Sequence, residues 1–316
     1  MLKVCIIGSS GHYGYAVERM AEKSGDFYIT AVSDCPAINC DAKQYENYLY
    51  MLDKEKPDIA VVNPYLCYNA QISIECLRRG INVFAEKPAA TTLDDLTELK
   101  KVYTESGKIY SSMTALRFAH GFIAAKEFVD SGGIGEVRLI HSQKSYKLGQ
   151  RGDMYKNNKL YGGTIPWVGF HAVDWIYYFA KKKFLNVFAA QSRIGNRDHG
   201  DLEMTAACSF VLEDEIIATV NIDYLRPNEA GTHGDDRIRI VGTHGIVEVR
   251  NSEAFVIDGS SERKLPNTKE VHIFDEFIKA VRGEKNELPK AEDAFYVTEV
   301  CLKARLSAEK GEMIKI

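Results

Sequence analysis

A glycine-rich segment near the start of the chain combines residue types and spacing that suit pyrophosphate binding. It follows an apolar run, Leu2 to Ile7, and precedes a helix-like stretch, Tyr15 to Glu22. In a strand–turn–helix context, glycines let the main chain approach an anion, and N–H groups at the helix start face it. Its G-x-x-G-x-x-G spacing predicts a dinucleotide site, with an ordinary strand-to-helix turn as the alternative. The segment, called the glycine turn below, comprises Gly8, Ser9, Ser10, Gly11, His12, Tyr13 and Gly14.

An acidic residue stands at the distance from this turn at which a carboxylate reaches a ribose 2′-hydroxyl. Asp34 follows the second apolar run, Phe27 to Val32, and lies 20 residues beyond Gly14. No Lys or Arg adjoins it, since Cys35-Pro36-Ala37 come next. A 2′-phosphate would be repelled by Asp34, so the sequence favours NAD over NADP. The alternative is a solvated aspartate that simply ends a strand.

Composition excludes several other kinds of chemistry. The 316-residue chain carries 40 Lys and Arg against 44 Asp and Glu, a net charge of −4, which does not favour nucleic acid or an anionic membrane surface. With 27% charged residues and no signal-like N-terminus, we expect a cytoplasmic protein without a membrane span. Seven scattered cysteines show no metal-ligand spacing, so we expect no metal site and free thiols. These are Cys5, Cys35, Cys40, Cys67, Cys76, Cys208 and Cys301.

The secondary structure that must position these residues follows two different patterns along the chain. Up to about residue 119, apolar strand-like runs alternate with helical patterns, which predicts an α/β, doubly wound Rossmann domain over residues 1–119. Its ligands should lie at the carboxyl ends of the strands. From residue 120, long alternating strands lie between helices. They predict an α+β domain over 120–316 with an open, mainly antiparallel sheet, for substrate binding and oligomerisation.

Several segments, in this order along nearly the whole chain, resemble the glucose–fructose oxidoreductase / inositol dehydrogenase (Gfo/Idh/MocA) family. The Glu-Lys-Pro and Gly-x-His-x-x-Asp segments are the most specific of them. The similar segments are the glycine turn, Asn63-Pro64, Gly80 to Pro88 (Gly-Ile-Asn-Val-Phe-Ala-Glu-Lys-Pro), Arg117-Phe118, Gly132 to Val137, Gly162-Gly163 and Gly169-x-His171-x-x-Asp174.

The resemblance implies a catalytic pair, Lys87 and His171. Lys87 would lie beside the nicotinamide, whose positive charge disfavours the ammonium form, and a neutral lysine can relay the substrate's hydroxyl proton. Pro88 would restrict Lys87 to extended conformations. Asp174, three residues beyond His171, would orient the imidazole or bind a substrate hydroxyl. Further cofactor contacts implied by the family are Asn63, Pro64 and Glu86, and further substrate contacts are Arg117 and Asp174. Trp167 is a candidate substrate contact on its own chemistry.

Two positions depart from the family pattern. Trp167 stands four residues before His171, where the family often has an aspartate, and Tyr68 replaces a frequent histidine. Trp167 predicts either an apolar wall for a sugar face or plain helix packing. Residues 150–163, with Arg151, Tyr155 and Tyr161, form a polar and aromatic loop, in which we expect substrate specificity to lie.

We therefore expect an NAD-dependent oxidoreductase that moves a hydride between nicotinamide and a sugar, polyol or related hydroxyl or keto compound. Two alternatives stay open, and fold alone does not decide among them. One is a glycosidase-like enzyme that uses bound NAD transiently. The other is a non-catalytic dinucleotide-binding sensor, which Trp167 keeps open. The strand-rich second domain predicts a homodimer or homotetramer.

Overall fold

The computed structural model describes residues 1–22, 25–34, 41–259 and 261–316. The chain forms two compact units. Unit 1 comprises Met1–Thr114, Leu160–Gly162 and His272–Thr298, and unit 2 comprises Ala115–Lys159, Gly163–Val271 and Glu299–Ile316.

Unit 1 is built on a six-stranded parallel sheet with the strand order β3-β2-β1-β4-β5-β6. Its elements are β1 (Leu2–Ile7), α1 (Gly14–Glu22), β2 (Phe27–Ser33), β3 (Lys43–Tyr45), α2 (Tyr48–Glu55), β4 (Ile59–Val62), α3 (Asn69–Arg78), β5 (Asn82–Ala85), α4 (Leu93–Ser106) and β6 (Tyr110–Ser112).

Apolar strands and capped helices explain this sheet. All four residues of β4 are buried, as expected for a parallel strand covered on both faces. The Thr92 side chain accepts a 3.1 Å hydrogen bond from Asp95 N at the start of α4, and Gly107 ends that helix with φ 61°. From β1 the strands of the sheet are added first on one side, as β2 and β3, and then on the other, as β4, β5 and β6. Rossmann folds bind dinucleotides at this switch point between β1 and β4.

Unit 2 is built on a nine-stranded mixed sheet with the order β14-β13-β12-β11-β7-β10-β9-β8-β15. The remaining elements of the chain are α5 (His120–Asp130), β7 (Val137–Tyr146), α6 (Asn158–Tyr161), α7 (Thr164–Trp167), α8 (Gly169–Ala180), β8 (Phe184–Ser192), β9 (Thr205–Leu212), β10 (Ile217–Asp223), β11 (Gly234–Gly242), β12 (Ile246–Arg250), β13 (Glu253–Ile257), β14 (Glu262–Lys264), α9 (Ile273–Val281), α10 (Ala291–Lys310) and β15 (Ile314–Lys315).

The second sheet is antiparallel except at its centre, where β7 and β10 run parallel. Helix α8 packs on β7 and β10, while α5 packs on β12 and β13. Alternate residues of β9 and β10 are buried, so one face of these strands is covered and the other lies open. The predicted fold class, a Rossmann domain followed by an α+β domain with a mainly antiparallel open sheet, is confirmed.

Each compact unit is made of several separate segments of the chain. Residues 272–298 belong to unit 1, where the Phe274 ring lies edge-on to Phe84 and to Phe27 with centroids 5.1 Å apart in both pairs. The domain boundary between residues 119 and 120 stays a prediction.

Five cysteines are free thiols: Cys5, Cys76, Cys208 and Cys301 are buried, and Cys67 is half-buried. Cys35 and Cys40 lie outside the described residues. Burial raises the pKa of Cys5 and Cys208 to about 12, so these thiols stay protonated. Within the described ranges, no helix is long and apolar enough to cross a bilayer.

Candidate active site

The glycine turn connects β1 to α1 and lies against residues that follow β4 and β5. Gly8 has φ +77°, and a Cβ there would lie 2.7 Å from Pro64 Cα. A Cβ on Gly11 would lie 2.8 Å from Asn63 Oδ1 and would collide with Glu86. Both positions therefore require glycine, which brings the main chain close to whatever the turn binds.

The turn keeps several polar groups available. Ser10 N donates to Asn63 O at 2.8 Å, whereas the N–H groups of Ser9, Gly11 and Tyr13 have no acceptor in the part of the chain that is described. The Asn63 amide is fully buried, and neither its nitrogen nor its oxygen has a partner there. Buried polar groups rarely stay unpaired, so this cradle suits the phosphates and polar groups of a dinucleotide.

Asp34 lines a cavity of about 590 Å³ beside the glycine turn. It is exposed, directly follows β2, and has φ 51°, a conformation that aspartate tolerates. Among the described residues, the cavity lining contains no Lys or Arg. Sequence reasoning assigned no cofactor contact to the tyrosines of this cavity, although their proximity to Asn63-Pro64 was a usable signal. The lining is Ile7, Gly8, Ser9, Ser10, Asp34, Tyr48, Pro64, Tyr65, Tyr68, Gln71 and Ile72.

A carboxylate joins the glycine turn to the Glu-Lys-Pro segment. Glu86 is fully buried, and its Oε2 accepts from both the main-chain N and the Nδ1 of His12, each at 2.7 Å. Its Oε1 accepts from Lys87 N at 2.9 Å. Burial raises the pKa of Glu86, whereas the hydrogen bonds from His12 and the charge of Lys87 lower it. The lowering effects are the larger, so the pKa of Glu86 lies below its usual range.

Lys87 is 2% exposed and lies just after β5, at the carboxyl end of the parallel sheet. Asn69, the first residue of α3, donates through Nδ2 to the carbonyls on either side of Lys87, those of Glu86 and Pro88, the latter at 2.8 Å. The Lys87–Pro88 peptide bond is cis. The lysine is thus held by the glycine turn on one side and by α3 on the other.

In unit 2, His171 and Trp167 lie near the start of the helical segment that covers the sheet. Trp167 ends α7 and His171 lies in α8, and Val168 separates the two helices. Glu203 anchors α7, since its Oε2 accepts from Thr164 N at 3.1 Å. Trp167 is 6% exposed with its ring 6.3 Å from that of Tyr155, and His171 is 7% exposed and stacks on Trp175 at 6.5 Å.

The Asp174 carboxylate forms an ion pair with Arg117. Arg117 Nε donates to Asp174 Oδ2 at 2.6 Å, and Nη2 donates to Oδ1. Both side chains are buried, and Arg117 also lies over the Tyr178 ring at 5.0 Å. This bidentate pair fits a structural role within unit 2, and the substrate contacts expected of both residues stay predictions.

Arg151 and Tyr155, expected to contact substrate, lie together in the segment after β7. Arg151 Cζ lies 5.4 Å from the centre of the Tyr155 ring and 4.8 Å from that of Tyr224. Through Tyr155 this cluster reaches Trp167. Sequence reasoning missed Tyr224, because nothing in its own segment marks it as polar and buried.

The turn, the cavity and the buried Asn63 fit a dinucleotide. The described residues contain no group of three or more His, Cys, Asp or Glu side chains that could hold a metal ion. The arrangement can hold a cofactor in unit 1, with a lysine fixed at the end of the adjacent strand. Lys87 and His171 belong to different units, and each is placed by its own unit's sheet.

Comparison with known proteins is consistent with this geometry. Residues 2–114 match the model of an oxidoreductase family with an NAD-binding Rossmann fold, and residues 122–248 match the GFO/IDH/MocA C-terminal domain. A solved structure of a Thermotoga maritima protein is 45% identical, with 100% of both chains covered and a TM-score of 0.95.

Two curated relatives are more distant. D-glucoside 3-dehydrogenase of Escherichia coli K12 is 22% identical over 100% of this chain and 97% of its own length. 2,7-Anhydro-N-acetylneuraminate hydratase of Mediterraneibacter gnavus is 28% identical over 44% of this chain and 38% of its own length. Several curated relatives, this hydratase included, are matched over less than half of their length.

These matches confirm the family resemblance seen in the Glu-Lys-Pro and Gly-x-His-x-x-Asp segments, and they confirm NAD as the cofactor type of the Rossmann fold. With both of its halves matched in order and a close relative aligned over its full length, the chain belongs to the Gfo/Idh/MocA family of oxidoreductases.

Proposed function

We propose that the protein is an NAD-dependent oxidoreductase that acts on a CH–OH group of a sugar, polyol or related compound. The observation that carries the proposal is the connection of the glycine turn to Lys87 through the buried Glu86. One carboxylate holds both the phosphate-binding turn and the candidate acid–base group. Such an arrangement suits a reaction in which the cofactor and a proton carrier must keep a fixed geometry.

When bound, NAD supplies the hydride acceptor or donor, and the protein orients it. The N–H groups of Ser9, Gly11 and Tyr13 bind its pyrophosphate, and Asp34 binds the 2′-hydroxyl of its ribose. Lys87 Nζ takes the hydroxyl proton of the substrate during oxidation and returns it during reduction. The positive charge of oxidised nicotinamide would disfavour the ammonium form, and the neutral amine is the form that this task requires.

His171 is the second proton carrier in this proposal, and Trp167 supplies an apolar surface for a sugar face. The near-complete burial of both side chains suits a site from which water is excluded. Because the family's frequent aspartate is replaced by Trp167, less of the proton transfer rests on His171 than on Lys87.

Trp167 also favours a second candidate, a non-catalytic sensor that binds dinucleotide. The two functions are separated by measuring NADH formation by the wild type and Trp167→Asp over one panel of sugars and polyols. The enzyme function predicts wild-type turnover that Trp167→Asp weakens through substrate binding. A wild type that is inert to the whole panel, with activity appearing only in Trp167→Asp, would favour the sensor.

We also propose a cytoplasmic homo-oligomer that pairs through the open face of the unit 2 sheet. Phe188, Val211 and Ile217 on this face are 45%, 37% and 49% exposed. They stand on three adjacent strands, with Val211 directly paired to Ile217. Apolar side chains exposed together on a sheet face suit burial against a second copy. The free thiols suit a reducing compartment.

A further inference from the structure

Two cations after β7 have no counter-charge among the described residues. Lys147 and Arg151 are both half-buried, and neither lies within ion-pair distance of a carboxylate among the described residues. Neighbouring cations differ in this respect, since Lys144 Nζ lies 2.6 Å from Asp236 Oδ2 and Arg226 Nη1 lies 3.6 Å from Asp235 Oδ2. An uncompensated, partly buried charge costs free energy unless a ligand supplies the opposite charge.

The Arg151 guanidinium is held in one orientation. Its Nε donates to Leu148 O at 2.9 Å and its Nη2 donates to Lys147 O at 3.2 Å, so one edge of the fork is bound to main-chain carbonyls. The rings of Tyr155 and Tyr224 lie 5.4 and 4.8 Å from its Cζ. The other edge, formed by Nη1 and the second hydrogen of Nη2, has the spacing that binds a carboxylate with two parallel hydrogen bonds.

A second observation points to a ligand at the same place. Tyr224 is 2% exposed, and its hydroxyl has no hydrogen-bond partner in the described structure. A buried hydroxyl without a partner is rare in proteins, and this one belongs to the ring that stacks on Arg151. The positive charges of Arg151 and Lys147 also act on His233. Together with burial they lower the pKa of its imidazole.

We propose that the substrate carries a carboxylate, which Arg151 binds through its open edge while Lys147 supplies further positive charge. The substrate class is then the sugar acids, in which a hydroxyl is oxidised while the carboxylate stays unchanged. This inference rests on the proposed function. It specifies that the substrate carries an anionic group, which the proposed function does not. Tyr155 connects Arg151 to Trp167, and so to the surface proposed for the sugar face.

The test uses matched substrates that differ only in one carbon's oxidation, namely glucose with glucuronate and galactose with galacturonate. NADH formation by the wild type should be faster with the acids, with kcat/KM about 10- to 100-fold higher, the range expected for charge-assisted hydrogen bonds. Arg151→Gln should remove this preference, and Arg151→Lys should restore part of it. Arg138→Gln, at an exposed arginine paired with Glu136, is the control that should keep it.

A binding measurement separates this inference from the proposed function. Calorimetric titration of the NADH-loaded protein with glucuronate and with glucose should show tighter binding of the acid, lost in Arg151→Gln. If no compound is oxidised yet the acid binds through Arg151, the subsite stands and the oxidoreductase proposal fails. Neutral sugars oxidised as well as their acids, or glucose 6-phosphate strongly preferred to glucuronate, would overturn the carboxylate subsite while leaving the oxidoreductase in place.

Discussion

At the scale of single residues, the candidate site combines contacts that motifs predicted with contacts that only the fold reveals. The glycines and Asp34 were recognisable because their types and spacing follow the chemistry of dinucleotide binding. Lys87 was recognisable only because its Glu-Lys-Pro segment resembles the family. The bond between His12 and Glu86 was not, because 74 residues separate them. The pair of Arg117 and Asp174, 57 residues apart, was hidden for the same reason.

Asp34 sets the choice between the two nicotinamide cofactors. NAD should bind more tightly than NADP, because Asp34 accepts from a 2′-hydroxyl and repels a 2′-phosphate, and no Lys or Arg lines the cavity in the part of the chain that the structure describes. Fluorescence titration of both cofactors checks this. Asp34→Ser should reduce the difference between the affinities for NAD and NADP. Equal affinities in the wild type would show that Asp34 does not contact the ribose.

His12 keeps the buried Glu86 ionised. His12→Phe preserves a ring for stacking on Tyr15 and keeps the main-chain donor to Oε2 but removes the side-chain donor, at a cost of about 1.5–3 kcal/mol in the free energy of unfolding. Because Glu86 has a lowered pKa, its contribution to stability is present above the unfolded pKa and is lost as pH falls through the folded pKa.

Without His12 that folded pKa rises, so the pH of half acid unfolding should move upward in His12→Phe. His12→Gln, which retains a side-chain donor, should move it less. Identical acid unfolding of all three proteins would mean that His12 does not hold Glu86.

At the scale of secondary structure, apolar runs and caps identified most of the helices and strands. The doubly wound Rossmann class of unit 1 followed from the alternation of strand-like and helical patterns, because parallel strands buried on both faces read as continuous apolar runs. Short edge strands such as β3 and β14 are not predictable from the sequence, since three exposed or half-buried residues carry no periodicity. The return of α9 to unit 1 was also missed, because it depends on aromatic contacts of Phe274 with distant rings.

Helix α8 depends on the buried pair of Asp174 and Arg117. Asp174→Asn should destabilise the protein by about 3–5 kcal/mol, because it leaves the Arg117 charge buried without its partner. Denaturant unfolding measures this. If Asp174 instead contacts substrate, the substitution would raise KM and leave the unfolding midpoint unchanged.

At the scale of the whole molecule, family and fold were predictable from ordered motifs, whereas the oligomeric state stays a prediction, which the exposure pattern of the unit 2 sheet supports. The molecule should be a homodimer or homotetramer at micromolar concentration. Sedimentation velocity measures its mass, and Ile217→Lys should shift the population toward monomer by placing a charge in the apolar face. Glu105→Lys, at an exposed position of α4, is the control. A monomeric wild type would contradict this assembly.

The central claim is that Lys87 carries the proton in an NAD-dependent oxidation. The most direct measurement is kcat for NADH formation by the wild type and Lys87→Ala, together with the Kd of NAD for both. The account predicts a loss of about 10²- to 10⁴-fold in kcat, the usual contribution of a general acid–base group, with a much smaller change in Kd. Turnover that survives Lys87→Ala unchanged would contradict it.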